Sequence, residues 1–272
     1  MTNLQTRTRK SQGGFTLIEL MVSVAIFMLI CGAIFELMGT TQKRFRTESQ
    51  VLGAFEEARL GLDQIVRDVN DSGYPPQNHF SGNALATAFA ASPIAWSPNY
   101  APTTPCQIGT AGGGTCASPT DFDLIVEGDV DGTGVQWIHY QLQGTTLFRG
   151  AIPKGGAGTD PFTATPVPSA VMLPYVLNVM NNAPPAQIAQ FQAAYPAMFP
   201  GGNPQPLFQY WCDALNGPQP LLCQNPGANN SPANVRDVDI TLIVMTPQAD
   251  AQTNQIRLVE LNGRGHRVNP NK

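Results

Sequence analysis

Charge is scarce in this chain. Asp, Glu, Lys and Arg make up 12% of its 272 residues, and the chain is too apolar to be disordered. Net charge is −4 and the cations beyond residue 46 are scattered, so no basic face for nucleic acid is expected. The sequence also lacks a Gly-x-Ser-x-Gly elbow, a His-Glu-x-x-His helix and a glycine loop followed by Gly-Lys-Ser/Thr, which removes the commonest signatures of hydrolases, zinc peptidases and nucleotide binders. Its three histidines, His79, His139 and His266, stand apart. His139 shares a strand face with Trp137 and Gln141 and reads as structural. No catalytic residue is therefore expected.

Glycine (26) and proline (24) are abundant, and their frequency favours a loop-rich β domain over a helical bundle. The length is enough to bury one sizeable core.

The sharpest pattern lies at the N-terminus. Residues 1–14 are polar and carry Arg7, Arg9 and Lys10 with no acid, so removing them would change the net charge from −4 to −7. Residues 15–38 read FTLIELMVSVAIFMLICGAIFELM, uncharged between Leu20 and Phe35. As a helix they rise about 36 Å, enough for a hydrocarbon core of about 30 Å. The preceding cations favour a cytoplasmic N-terminus. An ordinary secretory signal would need a small-residue cleavage site after the apolar run; the chain continues there with Gly-Thr-Thr-Gln-Lys-Arg. A plain signal anchor leaves Glu19 unexplained, because a carboxylate inside a membrane segment is unfavourable and usually has a function.

Gly13-Gly14-Phe15-Thr16-Leu17-Ile18-Glu19 resembles the class III signal of type IV pilins and type II secretion pseudopilins. The resemblance implies cleavage by prepilin peptidase between Gly14 and Phe15, N-methylation of Phe15, and a role for Glu19 in assembly. Glu19 would pair with the new amine, its own or a neighbour's, since an unpaired buried charge is strongly unfavourable. Glu36, near the other end of the run, is expected at the outer interface.

Apolar residues then recur at Val51, Phe55, Ala58, Leu62, Ile65 and Val69, with Glu56, Glu57, Arg59, Asp63, Arg67 and Asp68 on the other faces. This spacing predicts one helix from about 15 to 71, its second half laid on a sheet, with Asp63 and Arg67 one turn apart as a weak pair. Gly53 and Gly61 argue against a coiled-coil partner for that stripe. Ser72-Gly73-Tyr74-Pro75-Pro76 ends the helix.

Residues 77–120 read as a long surface loop. Strands are expected at Phe122–Glu127, Val135–Leu142 and Thr146–Arg149 as an antiparallel meander, then at Ala170–Val179, Val238–Met245 and Ile256–Leu261. The Pro/Asn/Gln-rich stretches 181–206 and 213–234 read as insertions between them. Cys106 with Cys116, and Cys212 with Cys223, are disulfide candidates closing two short loops, since neither pair has the tight spacing of a zinc site. Cys31 lies within the apolar run. Asp129, Asp131 and Thr133 alternate around Gly132 like the start of a calcium loop, but the distal Glu is missing and a hairpin connection explains the same residues.

The second half also resembles PilW-like minor pilins and J-type pseudopilins. It does so through the Leu60–Ile65 helix end with Ser72-Gly73-Tyr74, Leu147-Phe148-Arg149, Leu207-Phe208-Gln209-Tyr210 and the Val235–Val244 strand. The expectation is an α+β, pilin-like protein. Its parts would be a leader (1–14), a transmembrane and filament-core helix (15–40), an amphipathic helix (41–72) and a β-rich head (73–272). Its implied partners are prepilin peptidase, other pilin subunits, the inner-membrane assembly machinery and, before assembly, membrane lipid. No cofactor is expected unless the Asp129 turn holds calcium. The precursor would sit in the inner membrane with its head periplasmic, then move to the pilus. A type II secretion pseudopilin, or a stalk displaying an adhesive head, are the rival readings.

Overall fold

The computed structural model describes residues 14–80, 85, 87–90, 93–95, 120–154, 167–225, 227–228, 230, 234–250 and 253–268. A single helix, α1, runs over Leu17–Asp71, 55 residues, and rises about 82 Å. It stops where the sequence predicts. The Ser72 hydroxyl donates to the Val69 carbonyl at 2.7 Å, and Gly73 turns the chain at a φ of 80°, a conformation that residues with a Cβ rarely adopt.

The two halves of α1 have different surroundings. No residue of α1 before Thr47 is buried. Beyond it the expected stripe is seated in the head: Ala58, Leu62, Ile65 and Val69 are buried, while Val51 and Phe55 are half-covered at its margin. Each large side chain of that stripe contributes about 1.5–3 kcal/mol on burial. Asp68 departs from the expectation. Periodicity assigns it to a polar face, yet it is wholly buried. Asp63 approaches Arg59 at 4.0 Å, rather than Arg67 one turn on.

The head keeps the α+β class but holds two antiparallel sheets in place of one small one. The first is a meander of β1 (Ile94–Ala95), β2 (Asp123–Gly128), β3 (Gln136–Gln143), β4 (Thr146–Pro153) and β5 (Leu173–Val176) in sequential order. The second contains β6 (Phe208–Cys212), β7 (Leu221–Leu222), β8 (Val235–Met245) and β9 (Leu258–His266), ordered β7-β6-β8-β9. One core joins the helix stripe to Leu124, Ile138, Tyr140 and Leu147 of the first sheet and to Phe208, Val238, Ile240 and Leu242 of the second.

Close approach of helix and strands depends on glycine at two places. A Cβ on Gly61 would stand 2.4 Å from a methyl of Val176, and one on Gly265 2.5 Å from a methyl of Val69. Gly61, which argued against a coiled coil, is thus where α1 meets β5.

Strand lengths differ from expectation for identifiable reasons. The run 170–179 contracts to β5, an edge strand in which Pro174, lacking an N–H, faces Phe148. The last strand is longer than expected because β9 pairs with β8 residue for residue from Leu258–Met245 to His266–Asp237. Within 181–206, read as an insertion, a helix α2 (Pro185–Ala194) forms. Its Ile188 and Phe191 join Met180, Phe199, Ile243 and Leu258 in a second small core.

Candidate functional site

Gly14 and Phe15 lie exposed in extended chain immediately before α1, and Phe15 is 85% accessible. Thr16 caps the helix. Its backbone is extended, its amide and hydroxyl each donate to Glu19 Oε2 at 2.9 Å, and its hydroxyl oxygen accepts from the Glu19 amide at 3.4 Å. This reciprocal capping box satisfies donors that a helix start leaves open. It also holds the carboxylate at the helix N-terminus, where the helix dipole favours an anion. The resemblance leads to the expectation of an assembly role for Glu19; the capping box instead follows from Thr16 three residues before it.

From this start the helix presents apolar side chains on every side. Its most apolar 18-residue window has a mean hydropathy of 2.5 and none of it is buried. Phe27, Leu29, Phe35 and Leu37 are each at least 66% accessible. Ser23 donates to the Glu19 carbonyl at 2.7 Å, and Thr40 and Thr41 both donate to the Leu37 carbonyl at 2.9 and 2.8 Å. These hydroxyls thereby find partners within their own helix. A helix of this length and composition can cross a membrane.

Residues 9–35 match the prokaryotic N-terminal methylation motif. Among solved structures, the type IV-like pilin TTHA1219 from Thermus thermophilus aligns over 80% of this chain and 97% of its own, at 12% identity and a TM-score of 0.34, so that the two superpose poorly. No curated protein matches the chain. The motif runs into the exposed apolar first half of α1. It supports a type IV prepilin-family reading of the chain.

The remaining predicted residues fall in separate places. Cys212 and Cys223 form a disulfide that ties the end of β6 to the residue after β7. Cys106 and Cys116 lie outside the described residues, and Cys31 is a free thiol. In the Asp129 turn, Asp131 accepts from the Thr133 amide at 3.0 Å, the Thr133 hydroxyl at 2.6 Å and Gln136 Nε2, while Asp129 accepts from the Gly134 amide at 3.2 Å. The Thr133 hydroxyl, then its amide and Gln136, hold the Asp131 carboxyl below its usual range. Among the described residues no three His, Cys, Asp or Glu side chains converge as metal ligands do.

Two buried charge sites escaped the sequence. Asp68 accepts from the Tyr140 hydroxyl at 2.5 Å and from Arg149 Nη2 at 2.9 Å, tying α1 to β3 and β4. Burial, reinforced by the Asp68 carboxylate, pushes ionisation of the Tyr140 phenol far up. Glu127 meets Lys154 at 2.6 Å and accepts from Trp137 Nε1 at 3.1 Å, all inside the first sheet. Two of the three histidines stand beside acids: His139 Nε2 lies 2.9 Å from Asp123, and His266 Nδ1 2.5 Å from Asp237. A groove of about 700 Å³ opens where α1 leaves the head, between Val51, Leu52 and Phe55 on the helix and Val259 on β9.

Proposed function

We propose that this chain is a structural minor pilin, with no catalytic role, that enters a type IV pilus through α1. Prepilin peptidase cuts between Gly14 and Phe15, the new amine is methylated, and the helix leaves lipid for the helices of neighbouring subunits. Apolar burial supplies most of the association energy. Glu19 supplies register: as the helix start leaves the aqueous interface, its carboxylate requires a cation, and the amine of Phe15 on an adjoining subunit is a suitable one. The two-sheet head, larger than a simple meander, suits a position at the tip or in assembly priming, where it would obstruct further subunits above it.

The observation that carries this reading is the division of α1. The head closes its core with residues from Thr47 onward, while every large apolar side chain from Phe15 to Met38 stays uncovered. Such a surface requires either lipid or other helices. Coexpression with a prepilin peptidase, followed by N-terminal sequencing and mass measurement, tests it. The expected product begins at N-methylated Phe15. An uncut chain, or one cut after residue 38, refutes the reading.

The Asp129–Thr133 turn is taken as a hairpin connection closed by its own hydrogen bonds.

A further inference from the structure

Immediately past the apolar run the helix carries Lys43, Arg44, Phe45 and Arg46, and no acid stands between Glu36 and Glu48. All four are exposed, Phe45 by 73%. None of the three cations forms an ion pair with another described residue. The head does not cover them, because its first buried helix residue is Thr47.

Their height follows from the unbroken helix. They sit about 8–12 Å beyond Met38 along the axis, and the headgroup layer is about 5–8 Å deep on each side of the hydrocarbon. Helical side chains lean toward the helix N-terminus, which for this helix is back toward the bilayer. Long cationic side chains leaning that way reach the phosphates while their stems lie along the helix. Four consecutive residues at about 100° apart ring the helix completely. An exposed aromatic among cations is the composition of an interfacial anchor.

We propose that Lys43, Arg44, Phe45 and Arg46 form a collar that binds the anionic phospholipid headgroups of the leaflet facing the head. The collar sets the height of the head above the bilayer before assembly. Three cations without a balancing acid select for net negative lipid, and the ring of side chains lets the collar work at any rotation of the helix. This inference rests on the membrane-anchored reading above.

The test uses the full chain carrying Ser49→Cys in a Cys31→Ser background, spin-labelled and reconstituted in two vesicles: phosphatidylcholine alone, and phosphatidylcholine mixed with phosphatidylglycerol. A sample without Ser49→Cys subtracts signal from other cysteines. The expected result is that phosphatidylglycerol lowers the label's collisions with an aqueous nickel chelate. That difference should vanish in high salt and in K43Q/R44Q/R46Q. Equal collision rates in the two vesicles, for a chain that resists alkaline washing, overturn the collar and leave the anchor standing. A chain that washes off both vesicles overturns anchor and collar together.

Discussion

The Tyr140 hydroxyl donates to the Asp68 carboxylate across 72 residues of sequence, at 2.5 Å and wholly inside the protein. Arg149 completes the site, its side chain 25% exposed against none for Asp68. The carboxylate is thus desolvated with three donors, Gln64, Tyr140 and the charged Arg149, and it is a buried polar fastening between stalk and head. Removing Tyr140 or Arg149 as a donor leaves a buried anion undersatisfied; removing the acid leaves both without their acceptor on the helix.

Asp68→Ala is expected to destabilise the head by about 3 kcal/mol, the usual consequence of breaking a buried pair from one side. Chemical denaturation of the detergent-solubilised chain measures it. Helix residues near the stripe should become accessible to protease earlier than the strands do. A loss below about 1 kcal/mol would show that the apolar stripe alone fixes α1 to the sheets.

Stability should also fall at alkaline pH. Tyr140 and Tyr210 ionise well above the usual tyrosine range, each chiefly through burial, with Asp68 next for Tyr140 and Asp123 next for Tyr210. In the unfolded chain both ionise near about pH 10. Above that point the folded state retains protons that the unfolded state has lost, so stability is intact below about pH 10 and declines as pH rises. Each tyrosine contributes a slope of about 1.4 kcal/mol per pH unit. Denaturation midpoints of the parent and of Tyr140→Phe between neutral and strongly alkaline pH check the sign; Tyr140→Phe should show the shallower decline.

The Cys212–Cys223 bond spans 11 residues of sequence. Closing so short a loop in the unfolded chain is worth about 3 kcal/mol. The Cys212→Ala/Cys223→Ala double variant is expected to melt lower by several degrees, and a reducing agent should bring the parent to the same midpoint. Equal melting in oxidised and reduced parent protein would remove the bond from the list of stabilisers.

What the sequence made legible was local. The apolar run, the stripe from Ala58 to Val69 and the β2–β3–β4 meander are each patterned within their own element, so a window of a dozen residues displays them. Asp68 could not be seen that way, since the two partners that bury it against the sheet lie 72 and 81 residues on. Helix α2 was hidden for a related reason: only Ile188 and Phe191 of its ten residues are buried, too few apolar positions to set a period. The strands of the second sheet were visible singly. Their separation from the first sheet depends on hydrogen bonding such as that between β8 and β9, which no local pattern specifies. At the N-terminus the capping box was written in Thr16 and Glu19, yet the apolar run drew attention to the acid's charge and away from its geometry.

Calcium should leave the Asp129 turn unmoved. Asp131 already serves three donors, and the Gly134 amide holds Asp129, so a cation would have to displace these bonds without the distal carboxylate that completes a calcium loop. Thermal melting of the parent with calcium and with a chelator is expected to give one midpoint. A rise with calcium that disappears in Asp131→Asn would make the turn a metal site.

Capping, which Glu19 performs, and the proposed pairing between subunits are separable tasks, and substitution can part them. Glutamine at the third helical position still serves a capping box, so Glu19→Gln keeps the hydrogen bonds to Thr16 while discarding the charge. Thr16→Val does the reverse, removing the hydroxyl and leaving the carboxylate free to meet an amine. If register in the filament depends on charge pairing, Glu19→Gln should be cleaved and inserted normally yet enter sheared pili at a level lower by about tenfold or more, since an amine would be buried without its partner. Thr16→Val should assemble nearly as the parent does. Immunoblots of whole cells and of the sheared fraction give processing and incorporation from one culture. Full incorporation of Glu19→Gln, with loss in Thr16→Val, would reassign Glu19 from pairing between subunits to shaping the start of its own helix.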